Sequence, residues 1–389
     1  MDWQRDSSAA STSAARVPVT GAWREGDPVA DRRFVDLGSL RLESGRELPR
    51  VRVAYETWGE PNAARDNAVL VLHALTGDAH VVGAAGPGQP TAGWWPELVG
   101  PGLAIDTDRW WVIAPNVLGG CQGTTGPASV APDGAEWGSR FPRLTIRDQV
   151  AAQAGLADAL GIERFAAVVG GSMGGMHALE WGVGMPERVA RVGVLAAPPA
   201  TSPDQLARNS LQLEAVRLDP RFADGDYYDA ESGPWRGLAL ARRMAMLEYR
   251  SGTELDERFG REWQSALDPH TAGGRYAVES YLDFHGNRFT RRFDANSYLV
   301  LTEAMNSHDV ARGRGALAEA VARVRATTLV LGITSDRYFP LEGQRRLAAA
   351  LPNGLDGHEP TIVDSPFGHD AFLLDVEAVG AAVTRLLAA

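Results

Sequence analysis

Hydrophobic and polar positions follow three successive rhythms along the chain. In Phe34-Val35-Asp36-Leu37, and again in Arg50-Val51-Arg52-Val53-Ala54-Tyr55-Glu56-Thr57, they alternate, with Gly45 between the two stretches. A period of two predicts antiparallel strands at the edge of a sheet. From Ala68 onward the strands become short unbroken apolar runs: Ala68 to Leu72, Trp110 to Pro115, Phe165 to Val169 and Val189 to Leu195. Such runs belong to strands buried on both faces. Thr145-Ile146-Arg147-Asp148 opens a helix expected to reach about Leu160, with Ile146, Val150, Gly155 and Leu156 near one face and Gly161 as its stop. Strand and helix then alternate, which signals an α/β fold with a mostly parallel central sheet and helices on both faces.

After Pro198-Pro199 the rhythm becomes helical, and no parallel strand is legible from about Ala200 to Gly315. Strand runs resume at Thr327 to Ile333 and Thr361 to Val363, with a helix near Leu341 to Leu351 and a terminal helix from Ala371. The chain thus divides into a first core part over 31–198, a helical lid inserted over 199–315 and a second core part over 316–389. Residues 1–30 are rich in Ser, Ala, Arg and Asp. Their apolar residues are too sparse to offset the entropy of ordering, so a mobile tail is expected there.

The run ending at Val169 leads into Gly170-Gly171-Ser172-Met173-Gly174-Gly175 and then into Met176-His177-Ala178-Leu179-Glu180-Trp181. A glycine-bracketed serine between strand and helix is the pattern of a nucleophile elbow. The sharp turn crowds its neighbours, so Gly170 and Gly174 remove Cβ atoms where backbones approach. The helix N-terminus behind the serine places a positive dipole end where negative charge would develop. The same short pattern also arises in ordinary strand-helix connections, so its weight rests on partners further along the chain.

In a doubly wound sheet, functional side chains emerge at the carboxyl ends of strands. The strand run to Ile333 leads into Thr334-Ser335-Asp336, and the run to Val363 leads into Asp364-Ser365-Pro366-Phe367-Gly368-His369-Asp370. The order Ser172, Asp336, His369 is the one used by hydrolase-type sheets. His369 would accept the serine proton near neutral pH, and Asp336 would hold the imidazole in the right tautomer. Asp364 is the rival acid, on the same loop as His369. His73, His80 and His177 read as structural. The backbone N–H groups of Leu75 and Met173 are the expected oxyanion donors. The many glycines between Gly119 and Pro127 suggest that this loop approaches a ligand or the elbow closely.

Composition narrows the reading further. The 389 residues carry a formal net charge of -11, which argues against nucleic acid and anionic membrane as partners but leaves room for a local arginine cluster. A single cysteine, Cys121, rules out an internal disulfide and fits a reducing cytoplasm. No apolar stretch has the length of a membrane span, and the N-terminal segment lacks the apolar stretch of a secretory signal. No metal site is expected.

With these pieces placed, the chain resembles the homoserine O-acyltransferases of the α/β-hydrolase superfamily, most closely those that transfer acetyl. The resemblance runs from about Phe34 to the C-terminal helix. It is carried by His73-Ala74-Leu75-Thr76-Gly77-Asp78-Ala79-His80, Pro115 to Pro127, Gly170 to Met176, Gly237 to Arg250 and Gly368-His369-Asp370. It implies a ping-pong transfer from acetyl-CoA, through an acyl-enzyme on Ser172, to the hydroxyl of L-homoserine in methionine biosynthesis, with no bound cofactor. It also implies that Arg242 binds the homoserine carboxylate, that Tyr249 assists, that Asp370 holds the ammonium, and that the chain forms a homodimer through the lid. Arg243 adjoins Arg242, and position alone leaves the choice within that pair open. A helix-capping role for Asp370 is the plain alternative. Succinyl transfer, serine as acceptor and plain ester or thioester hydrolysis stay open. The lack of an extra basic residue between Gly119 and Pro127 favours acetyl over succinyl.

Overall fold

The computed structural model describes residues 17–389. One sheet is built from β1 (Arg33–Arg41), β2 (Glu47–Trp58), β3 (Ala68–Leu72), β4 (Trp111–Pro115), β5 (Ala167–Gly171), β6 (Arg191–Leu195), β7 (Thr327–Ile333) and β8 (Thr361–Val363). Their spatial order is β1-β2-β4-β3-β5-β6-β7-β8. β2 runs antiparallel to both β1 and β4, and every other neighbouring pair is parallel. Val99–Gly100 pairs with Ile105–Asp106 in a small parallel ribbon apart from this sheet, which no run of apolar residues announced.

The helices are α1 (Ile146–Ala159), α2 (Met173–Gly184), α3 (Pro203–Arg217), α4 (Trp235–Tyr249), α5 (Gly252–Phe259), α6 (Ala277–Phe289), α7 (Ala295–Asn306), α8 (Leu317–Val321), α9 (Leu341–Ala350), α10 (Ala371–Leu374) and α11 (Val376–Ala388). The expected terminal helix is therefore two, broken at Asp375. Strand periodicity divides the core between the two faces of the sheet. Leu70, Leu72 and Val168 point to the side covered by α1 and α2, whereas Val69, Val71 and Val169 meet α11 through Val379, Val383 and Leu386. α1 begins with a capping box in which Thr145 and Asp148 satisfy each other's backbone N–H groups. It ends before Gly161, whose φ of 68° only glycine adopts freely.

β5 enters α2 through Ser172, whose φ of 58° and ψ of -123° lie outside the regions open to ordinary residues. The glycines around it are dictated by contact. A Cβ on Gly170 would lie 2.3 Å from the Gly174 carbonyl oxygen, and one on Gly174 would lie 2.1 Å from that of Leu72. The turn is held by Ser172 N–H donating to the Leu195 carbonyl at 2.9 Å and by Met176 N–H donating back to the Ser172 carbonyl at 3.1 Å.

Between β6 and β7 the chain builds a helical layer, α3 to α7, over the sheet's carboxyl edge. α3 turns amides inward beside the buried Leu213 and Val216. Gln205 donates to the Tyr338 carbonyl, Asn209 bonds Asn306 and the Tyr338 hydroxyl, and Gln212 donates to Glu248 while accepting from the Tyr298 hydroxyl. Leu206 and Leu211, with Leu218 just beyond the helix, face solvent. Asp294, fully buried, caps α7 through Ser297 N–H and also accepts from the hydroxyls of Thr20, Tyr227 and Tyr228.

Two expectations need correction. Residues 1–16 lie outside the described part, but residues 17–30 are not a free tail. Gly21 N–H donates to the Phe293 carbonyl, Trp23 N–H donates to the Cys121 carbonyl, and the Trp23 ring packs 5.3 Å from that of Phe34. Backbone hydrogen bonds and one tryptophan order a segment that its apolar content alone would leave loose. The loop from Gly119 to Pro127 approaches neither the turn at Ser172 nor the cavity beside it. It is buried against β2, with the Thr124 and Thr125 hydroxyls accepting from Ala54 N–H and Arg52 N–H. Gly126 answers crowding inside the loop, where a Cβ would lie 2.2 Å from the Gly120 carbonyl oxygen, while Gly119 and Gly123 answer contact with Val300 and with Ala54 of β2.

Two stability predictions follow from this packing. Gly174→Ala is expected to cost about 2–4 kcal/mol in urea unfolding, because backbone rather than a flexible side chain must move; a cost under about 0.5 kcal/mol would contradict the contact. Burial pushes the Glu248 carboxyl up to about 7, against the opposing hydrogen bond from Gln212. The folded chain therefore keeps a proton that the unfolded chain releases near 4.5, and stability falls as pH rises from there to about 7. Glu248→Gln should remove that fall, so its stability relative to the parent should rise by as much as ~3 kcal/mol between pH 4.5 and 8. Equal differences at both pH values would show that Glu248 does not titrate this way.

Candidate active site

Three strand ends bring the predicted residues together. Ser172 leaves β5, Asp336 follows β7, and His369 lies in the turn after β8, next to α10. His369 Nε2 is 2.8 Å from Ser172 Oγ, and His369 Nδ1 is 2.7 Å from Asp336 Oδ2. The other Asp336 oxygen accepts from the backbone N–H groups of Tyr338 and Phe339, both at 2.8 Å. A buried carboxylate is costly unless its lone pairs are used, and here both oxygens are. The rings of Tyr249, Tyr338, Phe339 and Phe372 surround the imidazole at 5.1–5.7 Å. This apolar collar excludes water from the hydrogen-bond chain. Asp364, the rival acid, is exposed and accepts from the Thr334 hydroxyl.

The chain opens into a cavity of about 160 Å³ lined by Ser172, His369, Leu75, Arg242, Tyr249 and Asp370, with Asp78, Trp94 and Arg292 among its other walls. Met173 is the first residue of α2, and neither its N–H nor that of Leu75 has a protein acceptor among the described backbone hydrogen bonds. The loop carrying Leu75 is pinned by His73, whose Nε2 accepts from Val117 N–H at 3.0 Å while Nδ1 donates to the Ala74 carbonyl. Burial lowers the pKa of His73 and so keeps it neutral, as this pattern requires. His177 is held at about 3 by burial and by its neighbours His73 and His308, and Gln149 Oε1 accepts from its ring. Both histidines serve the scaffold.

The paired arginines point in different directions. Arg243 points away and pairs with Asp283 at 3.0 Å. Arg242 faces the cavity, with its guanidinium over the rings of Tyr249 and Phe289 and a long contact to Thr76 Oγ1. Burial raises the pKa of Tyr249, keeping its hydroxyl protonated. Asp370 makes no capping bond to α10; its carboxylate meets Arg250 Nε at 3.3 Å. Arg292, not anticipated from the sequence, adds a second cation to the cavity wall. Its one early signal was its place in the basic segment Arg288 to Arg292, four residues beyond Arg288.

Asp31, Glu56 and His80 bring one potential metal-ligand atom each within 4.8 Å of one another. Both Glu56 oxygens are already engaged, one with His80 Nδ1 at 2.9 Å and the other with the Gln89 amide, and Arg32 is near enough to feel the Glu56 charge. Burial is the largest single influence on His80 and opposes its protonation, but the hydrogen bond and charge of Glu56, with Asp78 and the Ala84 backbone, together outweigh it and move the pKa up. The cluster works as an ion-paired anchor for the loop after β3.

Comparison with known proteins agrees with this geometry. The family profile of the alpha/beta hydrolase fold matches residues 67–376. The homoserine O-acetyltransferase of Clavibacter michiganensis subsp. michiganensis is 66% identical over 374 residues, covering 96% of each chain. Among solved structures, homoserine O-acetyltransferase from Bacillus anthracis superposes with a TM-score of 0.83 at 29% identity, covering 92% of this chain and 97% of that one. An acetylester hydrolase from Corynebacterium glutamicum reaches 0.79 at 26% identity, covering 92% and 96%. With two thirds of its residues identical over nearly the whole of both chains, the chain belongs to the homoserine O-acetyltransferase family of the α/β-hydrolase fold.

Proposed function

We propose that this cavity transfers an acetyl group from acetyl-CoA to the hydroxyl of L-homoserine, a step of methionine biosynthesis, through an acyl-enzyme on Ser172. The observation that carries the reading is the unbroken chain Ser172–His369–Asp336 opening into a cavity that also holds a fixed cation, Arg242, and a fixed anion, Asp370. Ser172 Oγ attacks the thioester carbonyl as His369 Nε2 takes its proton. The Leu75 and Met173 N–H groups face the resulting oxyanion. The C–S bond breaks and the imidazolium returns the proton to the departing thiolate. In the second half the homoserine hydroxyl attacks the acyl-serine, His369 takes the hydroxyl proton, and Ser172 Oγ recovers it on leaving. Asp336 stays ionised and stabilises the imidazolium in both halves.

A zwitterionic acceptor needs one charge of each sign. Arg242 suits the carboxylate because a guanidinium binds it through two parallel hydrogen bonds. Asp370, steadied by Arg250, suits the ammonium, and Tyr249 packs between Arg242 and His369. Hydrolysis is the second reading, since an acetylester hydrolase shares the fold; the Arg242–Asp370 pair weighs against it, because water needs neither charge. The argument for acetyl over succinyl from the Gly119–Pro127 loop falls away, because that loop does not line the cavity. The preference for acetyl now rests on the named relatives. We further propose a homodimer through the lid, where Leu211 and Leu218, and Leu240 and Leu247 on α4, stand exposed at seven-residue spacing.

Thiol release from acetyl-CoA is expected to require L-homoserine and to exceed release with succinyl-CoA or with L-serine. Ser172→Ala should lower it more than about 1,000-fold. Arg242→Gln should raise the KM for homoserine roughly 10–100-fold, the worth of a charged hydrogen bond. Release that ignores the acceptor would turn the assignment to hydrolysis. Light scattering should give twice the mass of one chain, and Leu211→Glu with Leu247→Glu should shift it toward one chain. A parent that scatters as a single chain at all concentrations would remove the dimer.

A further inference from the structure

The turn that carries His369 is held from two sides by groups outside the hydrogen-bond chain of Ser172, His369 and Asp336. From the core side comes Ser335, the residue before Asp336. Its Oγ donates to the Ser365 carbonyl and accepts from Gly368 N–H at 3.0 Å, so one hydroxyl spans the stretch that leads from β8 to His369. Thr334 ties the start of the same stretch, its N–H donating to the Val363 carbonyl at 3.0 Å and its hydroxyl to Asp364 at 2.8 Å.

From the lid side comes Ser251, the N-cap of α5. Its Oγ accepts from Glu254 N–H at 3.0 Å, as a cap does, and donates its own proton to the Pro366 carbonyl, 115 positions away in sequence. The lid backbone also meets the turn directly. Gly368 has a φ of 65°, and a Cβ there would lie 2.6 Å from the Tyr249 carbonyl oxygen and 2.7 Å from the Ser251 nitrogen. Arg250, between those two residues, meets Asp370. Three consecutive lid residues thus touch the turn, through a ring, an ion pair and a hydroxyl. Ser251 and Gly368 are buried, so water does not take over these bonds when one is lost.

An imidazole serves both neighbours only while its two nitrogens stay 2.8 Å from Ser172 Oγ and 2.7 Å from Asp336 Oδ2. The rings around it limit its tilt, whereas its reach is set by where the backbone of the turn stands. We propose that Ser335 and Ser251 are positioning residues for His369, the core fixing the turn through Ser335 and the lid completing the alignment through Ser251. This rests on the roles of Ser172, His369 and Asp336 given above and adds a dependence of the chemistry on the seating of the lid. Because Asp370 follows His369, the same clamp sets the base and the proposed ammonium anchor together.

The test uses the full-length protein and p-nitrophenyl acetate, whose release of nitrophenolate in a single turnover needs Ser172 and His369 but no homoserine. Ser335→Ala and Ser251→Ala are compared with the parent at a temperature where circular dichroism shows all of them folded. Each should lower the acylation rate at saturating ester by about 10–100-fold, the scale of a misplacement of roughly 1 Å, with the KM for the ester little changed. Ser335→Thr keeps the hydroxyl and should recover most of the rate. Thr145→Ala removes a helix cap of the same kind from α1, away from the turn, and should leave acylation unchanged. A full acylation rate in either alanine variant would overturn the role of that residue. A loss in Thr145→Ala equal to that in Ser251→Ala would overturn the lid's part, because any loosened helix would then do the same. Loss of acylation in both alanine variants of a protein that does not acetylate homoserine would keep the clamp and remove the acceptor assignment.

Discussion

The backbone of Ser172 is the constraint on which the structure turns. A serine held at positive φ is strained by roughly 1–3 kcal/mol, and such a conformation persists only where the surroundings leave no alternative. They leave none here, because Gly170, Gly174 and the Leu72 carbonyl are in mutual contact and Leu195 accepts the Ser172 N–H. Those contacts exist because β5 lies between β3 and β6 at the centre of the sheet. The sheet order thus fixes the serine. Asp336 and His369 are then reached from β7 and β8, and two backbone N–H groups hold the carboxylate in the one orientation that lets it accept from His369.

What was legible in the sequence was what repeats or keeps order. Unbroken apolar runs marked the parallel strands because both of their faces are buried. The triad could be read because each member follows a strand and the order along the chain survives in space. What was not legible depends on partners distant in sequence. Trp23 is ordered by the Cys121 carbonyl, about a hundred positions away, and no local pattern encodes that pairing. The glycines between Gly119 and Gly126 are needed for close packing, which the sequence shows, but their partners, the loop itself for Gly120 and Gly126, Val300 and Leu144 for Gly119, and Ala54 of β2 for Gly123, it does not. Arg292, just beyond the end of α6, donates to the Thr76 carbonyl across 216 positions of sequence, and no local pattern encodes that pairing.

α3 shows how the lid is attached and why a hydrophobic-moment reading of it would mislead. Its inward face sets Gln205, Asn209 and Gln212 beside Leu213 and Val216, and the three amides engage Tyr338, Asn306, Glu248 and Tyr298. Directional hydrogen bonds leave less freedom to slide than apolar contacts of equal area, so the lid is set in register over the sheet. Tyr338 belongs both to this network and to the collar around His369. The mounting of the lid and the dryness of the triad therefore share a residue.

The charge distribution separates what happens at a distance from what happens at contact. The chain contains no lysine, so its cations are all arginines, which keep their charge across the physiological range. The net charge of -11 would oppose the approach of the anionic donor proposed above, but beyond about 8 Å that field is screened at physiological salt. Inside that length Arg242 and Arg292 stand in the wall of the cavity that holds Ser172. Attraction then acts where geometry can select, on a ligand already at the mouth, and not over the whole surface. In the proposed transfer the imidazole of His369 would carry the proton between oxygen and sulfur, leaving Arg242 and Asp370 to hold and orient the acceptor beside it.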